Sequence, residues 1–215
     1  MTDMEGANED REHRRVRLDH FSAAGFDRGA SRFKEALWVG IGSPLLNSFI
    51  PGSGWRVRLL RSFGARIGIG TVWKPHVRVK FPWRLAIGDH CWIGEEAWID
   101  NLASVTLGNH VCLSQGAYLC TGNHDWSVET FDLITQEIII RDGAWVGAKT
   151  VITPGTTIEE AAVVTSGSVA SGELEARKIY QGNPAKPISR RKIKALPEVR
   201  ADAGRIRSQT LPAGQ

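Results

Sequence analysis

The sequence predicts an all-β chain wound as a left-handed parallel β-helix, a triangular solenoid. A helical cap precedes it and a short extension follows. Three observations carry this. Ile67-Gly68, Ile87-Gly88 and Leu107-Gly108 recur at a spacing of 20. Inside each block an aliphatic residue leads and a small residue follows four places on, as in Ile67/Thr71, Ile87/Cys91, Ile93/Ala97, Ile99/Ala103, Leu107/Val111 and Leu113/Ala117. After an interruption the same rhythm resumes at 18 residues per block, through Ile140/Ala144, Val146/Thr150, Ile152/Thr156, Ile158/Ala162 and Val164/Ser168. A period of six fits neither the 3.6 of a helix nor the 2 of a strand. It fits a three-sided coil in which each hexad is one short strand and one corner.

Taken in order, residues 1–25 are polar and charged and are expected to be a disordered tail. Residues 26–63 are expected to cap the solenoid, because repeats need a terminal cap and Phe33, Leu37, Trp38, Ile41, Leu45 and Ile50 suggest amphipathic helix. Trp55 and Leu59, interleaved with Arg56, Arg58 and Arg61, also allow a weak membrane-surface association through this segment. Residues 64–187 form the solenoid. Gly and Asx at Gly88-Asp89, Gly108-Asn109 and Asp142-Gly143 are expected to relieve corner strain. The rhythm is lost over residues 126–137, which predicts a loop leaving the prism. Residues 188–215 form a basic extension around Arg190, Arg191, Lys192 and Lys194.

Composition narrows the function. The net charge is only +4, with runs of basic residues near both ends, at Arg11, Arg14, Arg15 and Arg17 and at Arg190, Arg191, Lys192 and Lys194. This gives little reason to expect nucleic-acid binding. Three cysteines, Cys91, Cys112 and Cys120, are odd in number and include no CxxC, so they imply no disulfide framework and a cytoplasmic setting is expected. The longest apolar stretch, Ala36 to Ile50, is interrupted and too short to span a bilayer.

Stacking the coils brings residues 20 apart side by side. Trp98 should lie on Tyr118 and Trp92 on Cys112, facing outward. Such aromatics suit a subunit interface around a threefold axis. Asn101 should lie beside Thr121, next to Thr121-Gly122-Asn123-His124-Asp125-Trp126, where the loop departs. That places His124 at the base of an excursion, with Asn101 and Asp125 nearby. Loops on rigid scaffolds are common sites of chemistry. His90 and His110 should also stack, which raises a metal reading. Both sit at exposed corners and no third ligand matches, so no metal is expected.

These motifs resemble the hexapeptide-repeat acyltransferases, in particular the WcaF-like colanic acid acetyltransferases, with kinship to maltose and galactoside O-acetyltransferases. The carriers are residues 121–126, Gly143-Ala144-Trp145-Val146-Gly147-Ala148, Val151-Ile152-Thr153-Pro154-Gly155 and residues 180–186. The resemblance implies a homotrimer, acetyl-CoA as co-substrate in a groove between prisms, and a sugar-type acceptor. It implies that His124 is the base and that Asn101 helps hold the acceptor. Trp145 would line the acetyl site, and main-chain groups of Gly147, Ala148, Ser166 and Gly167 would meet the pantetheine arm. Two departures stand out. Thr165-Ser166-Gly167-Ser168 replaces a Gly-Ala-Gly-Ser, and Gly172 stands where a lysine is common. Phosphate contacts would then fall to Lys178, Lys186 or Arg190. The chemistry would be proton removal by His124, fixed by Asp125 or a nearby carbonyl, and direct transfer with no acyl-enzyme. The readings to be set against it are a non-catalytic solenoid for interactions and a metal-dependent lyase like the γ-class carbonic anhydrases.

Overall fold

The structure, a computed structural model, describes residues 15–194. It is a three-sided parallel β-solenoid of six turns. The first face carries strands Arg66–Ile67, Leu85–Ile87, Val105–Leu107, Ile138–Ile140, Thr157–Ile158 and Glu173–Leu174. The second carries Val72–Trp73, Trp92–Ile93, Cys112–Leu113, Trp145–Val146, Val163–Val164 and Lys178–Gly182. Ala185–Arg190 folds back antiparallel on the last of these. The third carries Arg78–Val79, Trp98–Asp100, Tyr118–Cys120, Val151–Ile152 and Val169–Ala170.

The register follows the repeat. Ile67, Ile87, Leu107, Ile140, Ile158 and Leu174 stack in one column. All are buried, and so are the columns led by Ile93, Leu113, Val146 and Val164 on the second face and by Ile99, Leu119, Ile152 and Ala170 on the third. Burying each large aliphatic side chain removes apolar surface from water, worth about 1.5–3 kcal/mol. Strands of two or three residues persist because every coil stacks its hydrogen bonds and its core on the next.

At Asp142-Gly143 the glycine takes positive φ as expected, but Gly88 and Gly108 have a different cause from strain relief. Asp89 Oδ1 accepts the N–H of Ile69 at 2.8 Å, Asn109 Oδ1 that of Asp89 at 2.8 Å, and Asp142 Oδ1 that of Asn109 at 2.9 Å. Each Asx side chain thus reaches back one coil. It occupies the space a Cβ would need on Gly68, Gly88 or Gly108. The positive φ falls two residues after each glycine, on Gly70, His90, His110 and, one coil on, Gly143.

The column at this corner also explains the paired histidines. His90 and His110 share the left-handed conformation and stack with ring centroids 5.3 Å apart. Among the described residues no group of three His, Cys, Asp or Glu is placed to hold a metal.

The third corner corrects the expected Ile99/Ala103 pairing. Asn101 is fully buried there, whereas Ala103 is only half-buried. The two residues that lengthen the early coils to 20 let Phe81, Asn101 and Thr121 turn inward in one column.

The cap comprises α1 (Arg32–Leu37), a π-helical turn (Trp38–Gly42), α2 (Ser43–Leu46) and α3 (Ser53–Ser62). Trp38, Leu46, Val57 and Leu60 close the end of the core, and Trp38 Nε1 donates to the Val79 carbonyl at 3.2 Å. Gly42 leaves room for the Trp38 ring. Arg56, expected as one of several interleaved surface cations, is instead fully buried. It donates to the carbonyls of Leu46, Ser48 and Gly52. It thereby satisfies acceptors that the end of α2 leaves open. Burial pushes its pKa down from the ordinary arginine value.

Residues 15–25, expected as disordered tail, instead run across the excursion. They include a 3₁₀ turn at Leu18–His20, and the Arg17 N–H donates to the Glu129 carbonyl at 2.8 Å. The rest of that tail, residues 1–14, lies outside the described residues, as does the extension beyond residue 194. No helix among the described residues is long and apolar enough to cross a membrane.

Candidate active site

The excursion leaves the third corner earlier than expected and has structure of its own. Gly122–His124 pairs antiparallel with Leu133–Thr135, and the Gln136 N–H returns to the Thr121 carbonyl at 3.0 Å. His124 therefore sits on a hairpin anchored to the rigid prism. Its Nδ1 lies 2.8 Å from the Phe131 carbonyl. A carbonyl only accepts, so Nδ1 carries the proton of the neutral ring and Nε2 keeps a lone pair. The imidazole stacks on Phe131, with centroids 4.3 Å apart and planes 6° apart, and meets the edge of Phe21 at 5.4 Å. Two aromatic contacts and one fixed nitrogen hold the ring in its orientation.

Asp125 does not supply that orientation. Its Oδ1 accepts from the Ser127 N–H at 2.9 Å and from the Ser127 hydroxyl. The Ser127 hydroxyl, then its N–H, lower the carboxyl pKa. Asp125 shapes the turn at the start of the hairpin tip. Asn101 is likewise turned away from the surface. Its Oδ1 accepts the Phe81 N–H at 2.9 Å and its amide donates to the Phe81 carbonyl at 2.7 Å. Both ends of the amide are spent on one backbone unit. The neighbour Asp100 points out of the prism instead. Tyr118 Oη lies 3.4 Å from its Oδ2, and its Oδ1 is shielded with no partner. Burial first, then Cys120 and Asp100, push the Tyr118 hydroxyl pKa up. Phe21, Phe131 and Asp100 were not singled out in the sequence. Only Asp100 left a signal there, sharing outward parity with Trp98.

On the second face Trp92, Cys112, Trp145, Val163 and Ile179 form one outward column. Trp92 and Trp145 are 42% and 45% exposed, Cys112 and Ile179 are half-buried and Val163 is buried, so the strip is open at the two tryptophans. Trp145 Nε1 donates to Ser114 Oγ at 2.9 Å, which fixes its ring. The strip ends at the corner holding Gly147-Ala148 and, one coil on, Ser166-Gly167. There the Gly167 N–H donates to the Ala148 carbonyl at 2.9 Å. Ser166 and Gly167 are exposed. Gly147 is buried, and a Cβ on it would stand 2.5 Å from the Ser166 nitrogen. Its part is coil packing. Lys186 is exposed on the antiparallel terminal strand, paired with Gln181. On the third face Trp98 stacks on Tyr118 at 4.5 Å, with Arg78 over the indole at 4.2 Å.

A solenoid of hexads, an oriented histidine on an excursion and an open strip beside a glycine-rich corner define an acetyltransferase scaffold. The chain belongs to the hexapeptide-repeat acetyltransferases. It is 35% identical over 176 residues to a protein of Escherichia coli K12 provisionally named as the colanic acid biosynthesis acetyltransferase WcaF, covering 81% of this chain and 96% of that protein. It is 24% identical over 136 residues to the galactoside O-acetyltransferase of the same organism, covering 62% of this chain and 67% of the relative. The fold matches a hexapeptide-repeat acetyltransferase of Vibrio cholerae solved with acetyl coenzyme A (TM-score 0.70, 24% identity, 85% of this chain, 99% of that one). It also matches a galactoside acetyltransferase in complex with coenzyme A (TM-score 0.66, 20% identity, 73% and 80%). No protein-family model matches the sequence.

Proposed function

We propose that this enzyme transfers an acetyl group from acetyl-CoA to a sugar hydroxyl in exopolysaccharide synthesis, with His124 as general base. The observation that carries this is the contact of His124 Nδ1 with the Phe131 carbonyl. It leaves Nε2 as the basic nitrogen of a ring that cannot easily turn. Nε2 takes the acceptor hydroxyl proton as the oxygen attacks the thioester carbonyl. The tetrahedral intermediate then collapses, the C–S bond breaks, and the proton passes from Nε2–H to the departing thiolate. Direct transfer is supported by the cysteines. Burial raises the pKa of Cys91 and of Cys112, which keeps both as thiols and poor nucleophiles.

Acetyl-CoA fits the strip on the second face, with the acetyl end near Trp145 and the pantetheine arm along Ala148, Ser166 and Gly167. Lys186 is one cation available for the phosphates. The exposed aromatics Trp92 and Trp145 support a homotrimer in which neighbouring prisms cover them. Asp100 is the outward carboxylate beside the hairpin base and takes the acceptor-side role expected of Asn101. Asn101 acts from beneath, as a positioning residue. The relatives named for colanic acid and galactoside acetylation support a sugar acceptor.

The test is thiol release from acetyl-CoA over a panel of sugars and nucleotide sugars. An active wild type and an inactive, folded His124→Ala support the reading. Undiminished turnover by His124→Ala sinks it.

A further inference from the structure

The cap presents apolar surface on two sides. Its inner side closes the core through Trp38 and Leu46. Its outer side exposes Phe33, Leu37, Ile41 and Leu45, four residues apart, and beyond them Phe49 and Ile50. Phe33 and Phe49 are 78% and 84% exposed. Spacing by four drifts about 40° per step on an α-helix. The wider π-turn at Trp38–Gly42 offsets part of that drift and keeps the stripe together. No charged residue interrupts the chain between Glu35 and Arg56. A soluble surface seldom leaves so continuous an apolar stripe bare.

The charge around it is one-sided. From Arg28 to Gly88 the sequence has eleven lysines and arginines, of which Arg56 is buried, and a single acid, Glu35. That acid is already paired with Arg28. The chain as a whole is only +4, so the cap end is strongly basic and the remainder acidic. Arg32, Arg58 and Arg66 are exposed there. Two copies meeting through this end would bring like charges together, which opposes a subunit contact. An anionic bilayer satisfies both features at once, with lipid headgroups for the cations and the acyl boundary for the stripe.

We infer that the cap end is a membrane-docking surface that seats the enzyme on anionic phospholipid. Phe33, Leu37, Ile41, Leu45, Phe49 and Ile50 enter the interface, and the basic side chains around them hold headgroup phosphates. The inference stands on the cap alone and is independent of the acetyl-transfer reading.

Sedimentation of the full chain with vesicles tests it, using phosphatidylcholine alone and phosphatidylcholine with about 30% phosphatidylglycerol. The wild type should partition about tenfold or more in favour of the anionic vesicles, and high salt should weaken this. Ile41→Glu with Leu45→Glu, and separately Arg58→Glu with Arg66→Glu, should each abolish the preference. Both should keep the wild-type oligomeric state by light scattering and wild-type thiol release with a soluble acceptor. A wild type that stays in the supernatant with both vesicles overturns the inference. So do glutamate variants that bind as well as the wild type. A glutamate variant that dissociates into monomers assigns the stripe to a second copy of the chain and overturns it as well.

Discussion

At the scale of single residues, neighbours in sequence separate into different roles. His124 and Asp125 are adjacent, yet one has its ring fixed against the Phe131 carbonyl and the other is bound to Ser127 in a turn. His124→Ala should lower kcat by about 10²–10⁴-fold, the usual contribution of a general base. Asp125→Asn should change it little, since an amide oxygen still accepts from Ser127. Steady-state kinetics of the two variants separates these roles. Asn101 and Asp100 divide in the same way. Asn101→Ala would leave the Phe81 N–H buried without a partner, while the Phe81 carbonyl keeps the Arg84 N–H. An unpaired buried group costs about 1–3 kcal/mol, so the variant should melt below the wild type. Asp100→Ala should spare stability and raise KM for the acceptor. Thermal melts beside kinetics decide it, and a stable but inactive Asn101→Ala would return that residue to the acceptor side. The sequence placed Asn101 beside Thr121 correctly, because register follows from the spacing of 20. It did not reveal which way the side chain points, because the two added residues reset inward and outward parity at that corner. The Phe131 carbonyl left no sequence signal, since any residue supplies one.

At the scale of the coil, the repeat is legible because each layer obeys the same steric rule. Gly-Asx marks where one side chain fills the space above the previous coil. The same rule explains Gly147 without reference to any ligand. Gly147→Ala would force its Cβ against the Ser166 backbone. It should cost about 3 kcal/mol or more, because backbone in a stacked coil cannot move aside cheaply. Asp142 adds a pH dependence. The Asn109 backbone N–H, then its amide, hold the Asp142 carboxyl below the usual carboxylate range. A depressed carboxylate contributes stability above its unfolded pKa of about 4 and loses it as pH falls through the lower folded value. The melting temperature should therefore drop below about pH 4. Asp142→Asn should flatten that drop, because an amide oxygen serves at this corner, as Asn109 does one coil earlier. An equal acid drop in both proteins would remove Asp142 from the account.

At the scale of the molecule, the N-terminal arm joins parts that the repeat alone leaves apart. Composition made residues 1–25 look like a disordered tail. From Arg17 onward, however, the chain bonds the hairpin at Glu129, sets the Phe21 edge against His124 and stacks Phe26 on Phe81. Phe81 is the residue whose backbone Asn101 grips. The arm thus links the hairpin that carries His124 to the corner below it. Such contacts are invisible to a periodicity argument, because one aromatic in a polar stretch has no repeating partner. The solenoid needs none of them to fold, since its core closes on the cap through Trp38 and Leu46. Deleting residues 1–24 should accordingly leave the melting temperature within a few degrees of the full chain. It should lower kcat by about tenfold or more, because a catalytic group displaced by about 1 Å loses rate at that scale. If the shortened chain turned over at the full rate, Phe21 would be packing only, and the orientation of His124 would rest on Phe131 alone.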